Sequence, residues 1–107
     1  MKINFFSTTL NSSINKKLSK LFKKKFISSG NVSDQFENKF SKLFNLKYCT
    51  AVNSGTSALH LALQCGKIGV GDEVILPAQT FIATGLAVMY TGAKPIFADI
   101  QKNTGNI

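Results

Sequence analysis

The 107 residues contain no arginine, so every one of the thirteen basic side chains is a lysine. Proteins that read nucleic acid lean on the planar guanidinium for bidentate contacts with bases and phosphates. Its absence argues against that class, and no nucleic-acid partner is expected. Cysteine is almost as scarce. Cys49 and Cys65 stand alone, too few for a metal-ligand pattern, so no metal site is expected and both read as small, partly buried thiols. No apolar run is long enough to span a bilayer. The first residues, Met1-Lys2-Ile3-Asn4-Phe5-Phe6, carry neither a continuous apolar region nor a small-residue cleavage pattern. The expectation is a cytoplasmic protein with no membrane partner. Only five acidic residues are present. Two of them, Asp72 and Glu73, adjoin a glycine turn and read as loop polarity rather than as a catalytic acid pair.

At 44% hydrophobic, the composition is that of a globular chain with room for one modest core. The net charge of +8 is unevenly spread. Residues 1–47 hold ten lysines against Asp34 and Glu37, whereas residues 48–107 balance three lysines with three acids. The chain therefore divides into a basic N-terminal helical segment, 1–47, and a neutral segment, 48–107. In 13–27, Ile14, Leu18, Leu21, Phe22 and Phe26 recur at helical spacing, with lysines opposite and Ser12 or Ser13 as cap. Two readings fit: a solvated lysine face on a peripheral helix, or a basic face for nucleic acid or anionic lipid. Ser28-Ser29-Gly30-Asn31 breaks the pattern. A second helix is expected over 33–44, capped by Ser33, with Val32, Phe36, Phe40, Leu43 and Phe44 as a buried stripe.

From there the pattern alternates. Residues 48–52 are β-prone, 58–64 form an almost wholly apolar helix that should be buried, and 66–72 are a glycine-rich loop. Residues 73–77 form a strand stopped by Pro77, 80–90 a helix, and 95–99 a strand. The order β-α-β-α-β with short loops predicts an α/β fold, a mainly parallel sheet with flanking helices. Three strands leave such a sheet incomplete, so the chain is expected to be the N-terminal part of a larger protein.

The stretch Val52-Asn53-Ser54-Gly55-Thr56-Ser57-Ala58 joins the first strand to the first apolar helix. Helix starts expose unpaired N–H groups and the positive end of the peptide dipole, so small hydroxylated residues there suit an anion, most simply a phosphate. A Walker loop needs Gly-x-x-x-x-Gly-Lys-Ser/Thr, which is missing. Gly66, Gly69 and Gly71 have neither the spacing nor the strand-first context of a dinucleotide fingerprint. A pyridoxal phosphate site, with an aromatic over the ring, remains. Ser54 and Thr56 also suit plain helix caps, Phe81 suits the core, His60 suits a buried structural histidine, and Asp99 suits either a turn or the sheet's functional edge.

Four blocks carry a resemblance. They are Ser54-Gly55-Thr56-Ser57-Ala58-Leu59-His60-Leu61-Ala62-Leu63, Gly69-Val70-Gly71-Asp72-Glu73-Val74-Ile75-Leu76-Pro77, Thr80-Phe81-Ile82-Ala83-Thr84, and Gly92-Ala93-Lys94-Pro95-Ile96-Phe97-Ala98-Asp99. In this order and spacing, with Phe26-Ile27-Ser28-Ser29-Gly30 and Phe36-Glu37 upstream, the chain resembles the DegT/DnrJ/EryC1/StrS aminotransferases over about 14–107. The resemblance implies the N-terminal part of the large domain of a fold-type-I enzyme with pyridoxal 5′-phosphate as cofactor. It also implies a homodimer, and amino transfer from glutamate or glutamine to a nucleotide-linked keto-sugar for polysaccharide biosynthesis. By position, Gly55, Thr56 and Ser57 would hold the cofactor phosphate, Phe81 would stack on its ring, and Thr84 would line the substrate side. The Schiff-base lysine and the carboxylate for the pyridinium nitrogen are expected beyond Ile107, so this chain alone would be inactive. Relatives that lack that lysine act as sugar dehydratases. From a different class, the alternative is a small lysine-rich module binding nucleic acid or an anionic surface.

Overall fold

The computed structural model describes residues 7, 8, 10–24 and 30–107. They form α1 (Ser13–Phe22), α2 (Asn31–Leu43), α3 (Gly55–Cys65), β1 (Glu73–Pro77), α4 (Ile82–Tyr90) and β2 (Lys94–Ala98). The chain falls into two compact units, Met1–Cys49 and Thr50–Ile107.

In the first unit, α1 is shorter than the apolar spacing predicted. Residues 25–27 of the expected helix lie outside the described residues. The tight Lys24 N–H to Leu21 carbonyl bond at 2.9 Å follows the last turn. Lys16, Lys20 and Lys24 stand four apart, where like charges oppose further winding. Ser12 stands at the N-cap, one of the two positions expected, but its own side chain does not cap the first turn. Asn11 does so instead: its Oδ1 accepts the Ser13 N–H at 3.0 Å. In α2 the N-cap is Gly30 rather than the expected Ser33. The Asn31-Val32 turn already has helical geometry, so the Ser33 N–H is committed to the Gly30 carbonyl at 2.8 Å. The aromatic stripe of α2 shares one face, with Phe36–Phe40 and Phe40–Phe44 ring centroids 5.8 and 4.5 Å apart. It is not buried as expected: Phe36, Leu43 and Phe44 are more than half exposed. Four-residue spacing stacks the rings on each other, and among the described residues they stay largely uncovered.

The second unit is a parallel two-stranded sheet, with β1 and β2 in register from Glu73 with Lys94 to Pro77 with Ala98. The crossover between them is α4, and α3 packs on α4. The expected strand at 48–52 is not formed: these residues belong to no helix or strand. The strand expected at 95–99 begins and ends one residue earlier, and the helix expected from Thr80 starts at Ile82, with Phe81 at its N-cap.

The core is small. Leu76 of β1, Ala87 and Val88 of α4, and Ala93 are buried, and Leu63, Ile68 and Val74 pack against them. Alternation along β1 sends Val74 and Leu76 towards α4 and leaves Ile75 exposed. The helix α3 contains no buried residue, contrary to its apolar composition. It touches α4 alone among the elements, and one neighbour covers one side of a helix that is apolar all round. Cys49 is half-buried but Cys65, on the uncovered side, is exposed. His60 is only half-buried, edge-on to Tyr90 at 5.8 Å.

Two bonds seat the loop before β1. The Asp72 carboxylate accepts the Gly69 N–H at 2.9 Å, and the Asp72 carbonyl accepts the Lys94 N–H at 2.9 Å. Gly92 ends α4 at φ +81, and a β-carbon there would lie 2.8 Å from Val70 Cγ2. The conformation and the contact both demand glycine. Gly92→Ala is expected to cost about 1–3 kcal/mol, read as a lowered urea midpoint. Gly66→Ala, whose nearest contact is 3.4 Å, is expected to shift it far less.

Candidate cofactor cradle

The helix α3 begins where the sequence changes from extended chain to small residues. Ser54 is extended (φ −157, ψ 158), and its Oγ accepts the Ser57 N–H at 3.1 Å, an N-cap in its ordinary geometry. Its carbonyl takes the Ala58 N–H at 3.1 Å. The N–H groups of Gly55 and Thr56 have no acceptor inside the helix, as at any helix start. No acidic residue lies in the first turn of α3 to neutralise its positive end.

The second wall comes from the loop beyond the carboxyl end of β1. Phe81 stands at the N-cap of α4 with its side chain 78% exposed. Thr84, one turn on, pairs its Oγ1 with Thr80 Oγ1 at 2.9 Å. Between the two helix starts lies a cavity of about 490 Å³, lined by Gly55, Thr56, Ala58, Leu59, Phe81, Ala83 and Thr84. Two helix N-termini thus face one space, and neither first turn carries a carboxylate. A β-carbon built on Gly55 meets no atom within 4 Å, so the backbone there is open to close approach.

The cavity gathers four of the five residues singled out in the sequence: Gly55, Thr56, Phe81 and Thr84. Ser57 is not among its lining residues. Its N–H goes to Ser54, and its hydroxyl donates to Asn53 Oδ1 at 2.9 Å. Asn53 and Thr80 were not foreseen. Asn53 stands four residues before Ser57, and Thr80 four before Thr84, so the four-residue spacing of polar pairs was the available signal. The other sequence candidates lie elsewhere. Asp99 Oδ1 accepts the following Ile100 N–H at 2.8 Å, a turn role. His60 Nε2 lies 3.4 Å from Gln64 Nε2. Among the described residues, no cluster of His, Cys, Asp or Glu is grouped to hold a metal ion. None of the helices among them is long and apolar enough to cross a membrane. In the first unit, a separate apolar trough of about 450 Å³ is lined by Ile14, Leu18, Leu21 and Val32 and rimmed by Lys17, Lys20 and Lys24.

Fold and cradle together define a class: an α/β segment in which a strand-end loop and a helix start border a space with open N–H groups on one side and an aromatic ring on the other. Comparison with known proteins makes the assignment specific. The DegT/DnrJ/EryC1/StrS aminotransferase family profile matches residues 8–107. The chain belongs to that family. It is 51% identical over 77 residues to the GDP-perosamine synthase of Escherichia coli, covering 72% of this chain and 21% of that protein. It is 48% identical over 82 residues to the spore coat polysaccharide biosynthesis protein SpsC of Bacillus subtilis, covering 77% and 21%. Its fold superposes on Spr1654 of Streptococcus pneumoniae in its PLP form with a TM-score of 0.88 at 28% identity, over 98% of this chain and 27% of that one. The fold is therefore that of an N-terminal α/β part of the PLP-dependent sugar aminotransferases. The chain spans about a fifth of the length of the curated relatives it matches.

If Ser54 caps α3 as described, Ser54→Ala is expected to destabilise the second unit by about 1 kcal/mol, seen as a lower urea midpoint with reduced helicity. An unchanged midpoint would show that the cap carries no weight.

Proposed function

We propose that this chain is the phosphate- and ring-holding part of a pyridoxal-phosphate-dependent aminotransferase that acts on a nucleotide-linked keto-sugar in polysaccharide biosynthesis. The observation that carries the reading is the cavity between the starts of α3 and α4, with open N–H groups on one wall, an exposed phenylalanine on the other, and no carboxylate lining it. The residues present fit the cofactor. Gly55 leaves room at the backbone, and the Thr56 N–H and hydroxyl supply donors for phosphate oxygens. Phe81 offers a face for offset stacking against a pyridine ring. Ser57 joins the phosphate set when its hydroxyl turns from Asn53. Thr84, held by Thr80, lines the side on which substrate would enter. When bound, pyridoxal phosphate supplies an electron sink for breaking bonds at the amino-bearing carbon. The residues of this chain hold and orient it and keep one face of the ring from water.

The names of the relatives support a nucleotide-linked sugar as substrate, since GDP-perosamine synthase is named for such a product. Glutamate or glutamine as amino donor, a homodimeric assembly and a cytoplasmic location complete the proposal. Within it, the lysine that bonds the cofactor covalently is not one of Lys67, Lys94 or Lys102. None of the three lines the cavity.

The test uses pyridoxamine 5′-phosphate, because an aldehyde would react with the ten lysines of residues 1–47. The chain is expected to bind it saturably in equilibrium dialysis, and to bind pyridoxamine without the phosphate at least tenfold more weakly. Gly55→Ala is expected to leave stability unchanged or raised, since alanine favours a helix over glycine by about 1 kcal/mol, and yet to weaken binding by fivefold or more. Phe81→Ala is expected to weaken both the phosphorylated and the unphosphorylated probe. Equal binding of the two probes, or undiminished binding by both variants, would contradict the proposal.

A further inference from the structure

Three hydrogen bonds at the start of α3 form a closed proton circuit. Ser57 Oγ donates to Asn53 Oδ1 at 2.9 Å. The Ser54 and Ser57 hydroxyls are 2.9 Å apart, and the Ser57 N–H donates to Ser54 Oγ at 3.1 Å. A carboxamide oxygen only accepts, so the single hydroxyl proton of Ser57 is spent on Asn53. Ser54 must then donate to Ser57, which spends the other hydroxyl proton. In this state neither serine has a proton left for an anion, although both stand in the turn that opens onto the cavity.

We propose that Asn53 is a positioning residue that competes with a bound phosphate for the Ser57 hydroxyl proton. The inference rests on the phosphate-cradle reading above and deepens it. With the cradle free of anion, Asn53 holds the Ser57 hydroxyl and keeps the first turn closed. When a phosphate oxygen arrives beside Gly55 and Thr56, the Ser57 hydroxyl rotates about χ1 and donates to it, giving up Asn53. The anion gains a charge-assisted donor, and the turn gives up the Ser57 bond to Asn53 together with the Ser54 bond to Ser57, which the rotation also breaks. No bond is made or broken beyond these hydrogen bonds, and the proton stays on Ser57. The arrangement sets affinity below the maximum the donors allow, because part of the new bond's strength replaces the old one.

The consequence is a gain of affinity on removing a side chain. A net hydrogen bond is worth about a factor of two to ten in an equilibrium. Asn53→Ala is therefore expected to tighten pyridoxamine 5′-phosphate binding by about fivefold in equilibrium dialysis. Asn53→Ser, whose oxygen is too short to reach, is expected to do the same and serves if the alanine variant folds poorly. Ser57→Ala is expected to weaken binding, and adding Asn53→Ala to it is expected to change nothing further, since the pair then shares no proton. Simple damage to the turn would weaken binding, the opposite sign. Unchanged or weaker binding in both Asn53 variants, with the wild-type chain still preferring the phosphorylated probe, would overturn this inference and leave the cradle reading standing. A gain that persists in the Ser57→Ala background would overturn it too, because Asn53 would then act by another route. Failure of the wild-type chain to prefer the phosphorylated probe would overturn the cradle reading and this inference with it.

Discussion

A helix start leaves N–H groups that its own turns cannot satisfy, and the second unit is arranged around that constraint at α3. Ser54 answers for one of them, at Ser57. Those of Gly55 and Thr56 have no acceptor within the helix, and the absence of any carboxylate in that turn keeps its positive end uncompensated. Both N–H groups border the cavity, where an incoming acceptor can replace water. An anion is the partner with the most to gain, since it meets both the donors and the dipole.

The rest of the unit serves to hold the opposite wall in place. The buried contacts of Leu76, Val88 and Ala93 fix α4 on β1 and β2. The strand β1 ends at Pro77, and the short connection that follows delivers Phe81 to the start of α4. Glycine at 92 and the Asp72 bonds to Gly69 and Lys94 pin the far end of the crossover, so the ring position depends on a few well-determined turns rather than on a large core. The apolar sides of α3 and the aromatic stripe of α2 are uncovered.

Much of this was legible in the residues, for identifiable reasons. Short apolar runs bounded by glycine and proline located β1 and β2 to within a residue, because the turn at Gly92 and the stop at Pro77 are covalent facts of those side chains. Ser54 was legible as a cap because a hydroxyl before a small-residue helix start has one obvious N–H to accept. Gly55, Thr56, Phe81 and Thr84 came from the ordered blocks of the family and meet at one cavity. What was not legible depends on partners distant in sequence. Whether 48–52 becomes a strand depends on an edge to pair with, not on its valine and threonine. Whether Phe36, Phe40 and Phe44 are buried depends on what lies across from them, and their spacing says only that they share a face. Ser33 and Gly30 compete for one N-cap on backbone conformation that composition does not encode. The Asn53 to Ser57 bond follows from helical spacing, but only once the helix is known to start at Gly55.

The central claim is that the open N–H groups of Gly55 and Thr56 receive a phosphate. It is tested most directly by the amide resonances of the isotopically labelled chain titrated with 4′-deoxypyridoxine 5′-phosphate and, separately, with 4′-deoxypyridoxine. The account predicts saturable downfield shifts of the Gly55 and Thr56 amide protons with the phosphate ester alone, and ring-current shifts around Phe81 with it. Shifts confined to the lysine-rich residues 16–24, or Gly55 and Thr56 amides that respond identically to both compounds, would contradict it.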